Sequence, residues 1–89
     1  MFFKAKYLKI YSKNFIKDFK ILKKAIHNQD EVSIKSKLHK MKGSSATMKF
    51  SNMANRLSKM ESKKIVDLFD DLSEIRNQFY LDTKEPLDE

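Results

Sequence analysis

One glycine and one proline in 89 residues leave this chain short of the residues that hairpin turns and sheet edges demand. What remains is rich in Lys, Leu, Ile, Met, Phe and Ala, most of them good helix formers. An all-α fold is therefore expected. A chain this short buries roughly 60 to 65% of its unfolded surface and supports one core, so residues 1–89 are read as a single domain. Its aliphatic and aromatic content is too high for a disordered segment. Cysteine is absent, which excludes disulfides and thiolate metal sites, and no metal site of another kind is expected.

Apolar residues recur in steps of three and four along four runs. The first takes Leu8, Tyr11, Phe15, Phe19, Leu22 and Ile26, and predicts a helix over about 6–27. Asn28, Gln29 and Asp30 suit a turn, with Asp30 as N-cap of the next helix. Ile34, Leu38, Met41, Ser45 and Met48 predict a second helix over 31–48. Phe50, Met53, Leu57 and Met60 predict a third over 51–61, with Ser51 as its cap. Ile65, Leu68, Phe69, Leu72, Ile75 and Phe79 predict a fourth over 63–83, capped by Ser62 and followed by Pro86. Asp67, Asp70 and Asp71 in its first turns complement the helix dipole. Short connections between helices of this length favour an antiparallel up-down four-helix bundle.

Charge is unevenly placed. Residues 1–64 carry 17 Lys and Arg against four Asp and Glu, whereas residues 65–89 carry two against eight. Such a basic body could attract nucleic acid, an anionic membrane or an acidic protein. The lysines at 4, 6, 9, 13, 17, 20, 23 and 24 read as one solvated helix surface. Charge interrupts the N-terminal segment before a secretory apolar region can form, and nothing reaches the ~20 apolar residues of a membrane span. The expected protein is soluble, cytoplasmic and monomeric; its initial Met1 and the absence of a leading linker favour a free-standing chain.

The second helix carries one residue that its core pattern does not use. Stepping about 100° per residue from the mean direction of its apolar stripe, His39 falls roughly 140° away, on the solvent side. Its neighbours one turn before and after are Lys35, Ser36, Lys42 and Gly43, with Ala46 two turns on. Gly43 costs roughly 1 kcal/mol relative to Ala in a helix interior. That cost signals close approach by another backbone or a partner. The alternative is that Gly43 ends or kinks the helix, although the apolar spacing continues to Met48. His27, at the end of the first helix, suits the negative end of the dipole and reads as structural or neutral.

The segment His39-Lys40-Met41-Lys42-Gly43-Ser44-Ser45-Ala46 resembles the signature of histidine phosphotransfer (HPt) domains, H-x-L-K-G-[SA]-[SA]-[AG], with Met41 at the Leu position. In that family the histidine lies on the second helix of a four-helix bundle and faces solvent. By this resemblance His39 is the phosphorylated histidine, Lys42 the lysine near the phosphoryl oxygens, and Gly43 the residue that opens space for a receiver domain. Lys35, Ser36, Lys40 and Ala46 fall on the expected docking face. Two positions depart from the family pattern. Lys49 stands where a glycine is frequent, which bears on the end of the second helix rather than the chemistry. Lys40 replaces a small or hydroxyl residue and adds charge.

The chemistry suits these residue types. An exposed imidazole, with an ordinary pKa of about 6.5, is largely neutral above pH 7 and carries a nucleophilic nitrogen. Phosphoryl transfer needs mostly positioning and countercharge, which Lys42 at i+3 can supply, and Lys35 less directly. One helical glycine cannot form the phosphate-cradling loop of a kinase. The resemblance thus implies a relay protein, not an enzyme with ATP-binding or autokinase activity. It implies no cofactor of its own, Mg²⁺ belonging to a partner response-regulator receiver domain, and a hybrid sensor histidine kinase as a second partner. Two rivals remain. A basic nucleic-acid-binding domain lacks a helix-turn-helix, zinc or stacking-aromatic pattern, so nucleic acid is not expected. An adaptor that docks on a receiver or kinase without transferring phosphate would survive loss of His39.

Overall fold

The computed structural model describes residues 5–85, with side chains from Lys6; Lys4 and Pro86, which figure in the sequence reading, lie outside them. Among the described residues the chain is all-helical, with no strand. Helix α1 spans Ala5–His27, α2 Glu31–Thr47, α3 Ser51–Glu61 and α4 Leu68–Thr83, with a 3₁₀ turn at Ile65–Asp67 before α4. None of these helices is long and apolar enough to cross a membrane.

The core is the sum of the four stripes. Phe15, Phe19, Leu22 and Ile26 of α1 meet Ile34, Leu38 and Met41 of α2, Met53, Leu57 and Met60 of α3, and Leu68, Ile75 and Phe79 of α4, all nearly sealed from solvent. Leu8, Phe50 and Ile65 pack at the margin. Aromatic rings gather at one end, where Phe15 stacks on Phe79 at 5.0 Å and Tyr11 meets Phe50 edge-on at 5.2 Å. Helix α2 lies between α1 and α3 and packs against both. On the α1 side, the buried Asp18 carboxylate holds the ammonium groups of Lys37 and Lys40, each at 3.4 Å.

Tyr11 and Ser45 join hydroxyls at 2.8 Å in this interior. Burial pushes the Tyr11 phenol up from its ordinary 10.0 to about 12. The unfolded chain therefore releases this proton first as pH rises, so stability present below pH 10 is lost between about pH 10 and about pH 12. Tyr11→Phe is expected to cost about 1 kcal/mol at neutral pH and to make the alkaline fall in Tm shallower than the parent's, as read by thermal melts across that range.

The turns explain how a chain with one glycine closes its helices. Gln29 and Lys49 take left-handed φ values of 56° and 65°. After α1, Asp30 N–H donates to Ala25 O at 2.8 Å and Gln29 N–H to Ile26 O at 3.1 Å. After α2, Phe50 N–H donates to Ser45 O at 2.9 Å and Lys49 N–H to Ala46 O at 3.0 Å. Both are Schellman closures, in which glycine is the relaxed choice. Lys49, the departure noted above, thus occupies a strained conformation. Lys49→Gly is expected to raise stability by about 1 kcal/mol, a gain of roughly 4 to 8 °C in Tm, with no change in fold.

Asp30 caps α2 as expected, its carboxylate accepting from Ser33 N–H at 3.3 Å and Ser33 Oγ at 2.8 Å. Other boundaries differ. Helix α2 ends at Thr47, with Met48 as its cap. The α3 cap is Phe50, without a side-chain hydrogen bond, because the closure at Lys49 turns its ring toward Tyr11 and leaves Ser51 as the first helical residue. Ser62 ends α3, its hydroxyl donating to Lys59 O at 3.0 Å, and does not cap α4. Lys64 is extended and residues 65–67 wind at three per turn, so α4 begins at Leu68 and not at 63. Leu68, Leu72, Ile75 and Phe79 keep the inward spacing, whereas Phe69, expected in the core, is 48% exposed beside His27.

Candidate functional site

Helix α2 is fixed in rotation by its buried stripe, Ile34, Leu38, Met41 and Ser45. That stripe sends His39 outward, and its side chain is 78% exposed. Ser36, Gly43 and Ala46 are exposed along the same side. The helix runs unbroken through Gly43, so glycine here neither ends nor breaks it. A Cβ built on Gly43 would meet nothing within 4 Å. Among the described residues no other backbone approaches it, and the expected close approach is not made within them. The space it leaves opens to solvent.

The lysines around His39 are all engaged. Lys35 pairs with Glu31 one turn back at 3.1 Å, and Lys40 is drawn to Asp18 of α1. Lys42 reaches the other way, to α3, where Glu61 Oε1 takes its ammonium at 2.7 Å. The second oxygen of Glu61 lies 3.9 Å from Nδ1 of His39. The site is therefore an imidazole, an ammonium and a carboxylate from two helices, with Nδ1 on the carboxylate side and Nε2 away from it. Lys42 and Glu61 are both about two-thirds or more shielded, so their attraction is less screened than that of the exposed Lys35–Glu31 pair.

Glu61 was not singled out in the sequence. It lies 22 positions beyond His39, and no spacing rule links the end of one helix to the middle of another. One signal was available: it is one of four acidic residues among the first 64, where 17 cations compete for partners. Asp18 is another of the four, and it too has become a clasp on α2. His27 stands apart, exposed at the end of α1 with its ring edge-on to Phe69 at 6.5 Å. Among the described residues no three His, Cys, Asp or Glu side chains converge as a metal site.

Beside the exposed strip of α2, toward α1, lies a mostly apolar groove of about 520 Å³ bounded by Tyr7, Ile10, Tyr11, Asn14, Ser44, Thr47 and Met48. Ring and open glycine position share the outer side of α2, with the Lys42 cation on the flank toward α3 and the groove on the flank toward α1. An imidazole so placed can attack an incoming electrophile from Nε2, with a cation within reach to take up anionic charge. In comparison with known protein families, residues 6–83 fit the family model described as the Hpt domain. No curated protein and no solved structure matches the chain.

Proposed function

We propose, from the premise that this chain belongs to the Hpt domain family, that His39 accepts a phosphoryl group from the aspartyl phosphate of one receiver domain and passes it to the aspartate of another. Hpt domains are histidine phosphotransfer modules of two-component phosphorelays; they interact with receiver domains and are not kinases. The observation that carries the reading for this chain is the exposure of His39 on α2 with Lys42 one turn away. Lys42 supplies countercharge to the equatorial oxygens in flight. Lys35, Ser36, Lys40, Gly43 and Ala46 form the surface on which a receiver seats, and the receiver brings the Mg²⁺; the chain itself binds neither ATP nor a cofactor.

The bundle is read as up-down and antiparallel, because ring contacts pair Tyr11 with Phe79 and His27 with Phe69, opposite ends of α1 and α4. The protein acts as a cytoplasmic monomer, with receivers and a hybrid sensor histidine kinase as its partners. Among the described residues, Lys9, Lys13, Lys17, Lys20 and Lys24 of α1 have no acidic partner, unlike the lysines of α2 around the site. That unneutralised stripe steers encounter with an acidic protein. The test is incubation with phosphorylated receivers in Mg²⁺. An acid-labile, base-stable label at His39 supports the relay. Failure across the organism's receivers, with retained binding to one of them, would favour the non-transferring adaptor.

A further inference from the structure

Helices α2 and α4 lie diagonally across the bundle, since each packs on both α1 and α3. His39 looks out from α2, with its ionic contact on α3. On the opposite flank of α1, its last turns and the first turns of α4 enclose a concavity of about 360 Å³. Its floor is Leu72 and the ring of Phe69, which is 48% exposed after the 3₁₀ turn has rotated it out of the core. Its rim is Lys20, Lys23, Lys24 and His27, all from α1, and among the described residues no carboxylate lines it.

The charge at this seam is left open. Lys20 and Lys24 have no acidic partner among the described residues, whereas Lys37, Lys40 and Lys42 of α2 are all paired. They also continue a line. At about 100° and 1.5 Å per residue, Lys9, Lys13, Lys17, Lys20 and Lys24 fall within an arc of about 80° along about 22 Å of α1. The one carboxylate of that helix, Asp18, is turned to α2, so nothing on α1 neutralises the line. A row of cations therefore ends at an unfilled apolar recess.

We propose that the α1–α4 seam is a second docking surface, separate from His39, for an acidic amphipathic helix of a partner protein. One apolar side chain of that helix enters the recess against Phe69 and Leu72, and carboxylates one turn apart meet Lys20 and Lys24. The repeat fits: those two lysines stand about 6 Å apart along α1, the rise that separates carboxylates at i and i+4 of a helix laid alongside. Further carboxylates on it reach Lys17 and Lys13. A nucleic-acid backbone or a lipid surface would use the ammonium groups and leave the recess between the helices empty. A partner held at the seam leaves the imidazole uncovered, so one protein can stay tethered there while another meets His39, at a local concentration set by the tether. Docking at the seam does not depend on the chemistry of His39.

The test titrates the isotope-labelled full chain with a synthetic helix of about 15 residues, carrying glutamates at four-residue spacing and a leucine on the adjoining face, and follows backbone amide shifts. Shifts are expected to collect at residues 20–27 and 69–72 and to spare 38–43. Replacing the leucine of the peptide by serine is expected to weaken binding roughly tenfold, and replacing its glutamates by lysines to abolish it. In the protein, Phe69→Ser weakens binding by a similar factor. Lys20→Gln combined with Lys24→Gln weakens it several-fold in dilute salt, with the difference closing at high salt; this exposed pair carries the test if Phe69→Ser fails to fold. Equal affinity for the leucine and serine peptides, shifts spread evenly over the lysines of α1, or shifts centred on His39 each overturn the proposal. So does binding to phosphatidylserine vesicles without binding to the peptide, which assigns the face to a lipid surface. If phosphorylated receivers fail to label His39 while the peptide seats at the seam, the relay reading falls and this surface stands; if the label forms and the peptide does not bind, the reverse holds.

Discussion

His39→Gln is expected to take no label from any phosphorylated receiver, while melting within about 3 °C of the parent. The ring is 78% exposed, and among the described residues its one ionic contact, Glu61, lies 3.9 Å away. Exposed substitutions of this kind typically change stability by no more than about 0.5 kcal/mol. Glutamine keeps a polar side chain of similar reach, and its amide nitrogen has no lone pair free for attack on phosphorus. The expected loss is therefore total rather than graded. Acid-quenched and base-quenched labelling, run beside a thermal melt, checks both halves. Residual label would direct attention to His27, the other histidine of the chain, and His27→Gln in the same background would then locate it.

Gly43→Leu is expected to leave the bundle folded and to cut transfer about 100-fold. A Cβ at this position meets nothing within 4 Å among the described residues, and the position is exposed, so a larger side chain is expected to extend into solvent. It also replaces glycine in a helix interior, which stabilises by roughly 0.5 to 1 kcal/mol. The effect on transfer comes from the partner. Leucine fills the clearance one turn beyond His39, and a displacement of about 1 Å in the reacting groups costs on the order of 10² in rate. A melt at or above the parent's Tm with transfer lost is the expected pair of results. Parent-like transfer rates would remove the clearance argument. Gly43→Ala, with a single added carbon, separates small from large intrusion.

The four core stripes were legible because helical spacing is a local property, and Phe15, Leu38, Leu57 and Phe79 each land where their run directs them. The outward direction of His39 follows from the same arithmetic. What the sequence did not disclose depends on contacts between helices. The reach of Lys42 to Glu61 requires knowing that α3 ends beside the middle of α2. The buried Asp18, clasped by two lysines, reads along the chain as one more polar residue on a basic helix. Turn strain was hidden at Gln29, whose residue type does not predict a conformation glycine would relax, whereas at Lys49 the departure from the family pattern pointed to the helix end where it arises. Phe69 was misplaced for a related reason. The 3₁₀ turn at 65–67 resets the phase of α4, and a single period drawn through Ile65 and Phe79 cannot include such a reset.

Helix α2 is stayed from both flanks, by Asp18 acting on Lys37 and Lys40 and by Glu61 acting on Lys42. A roll of the helix about its own axis in either direction must stretch one of these attachments. The azimuth of the imidazole is thereby assigned by the scaffold before any partner arrives, and only torsions within the ring's own side chain are left to settle. Under the proposed relay, an incoming aspartyl phosphate would meet a nucleophile whose bearing is already set, so less rotational freedom would be surrendered at the moment of reaction.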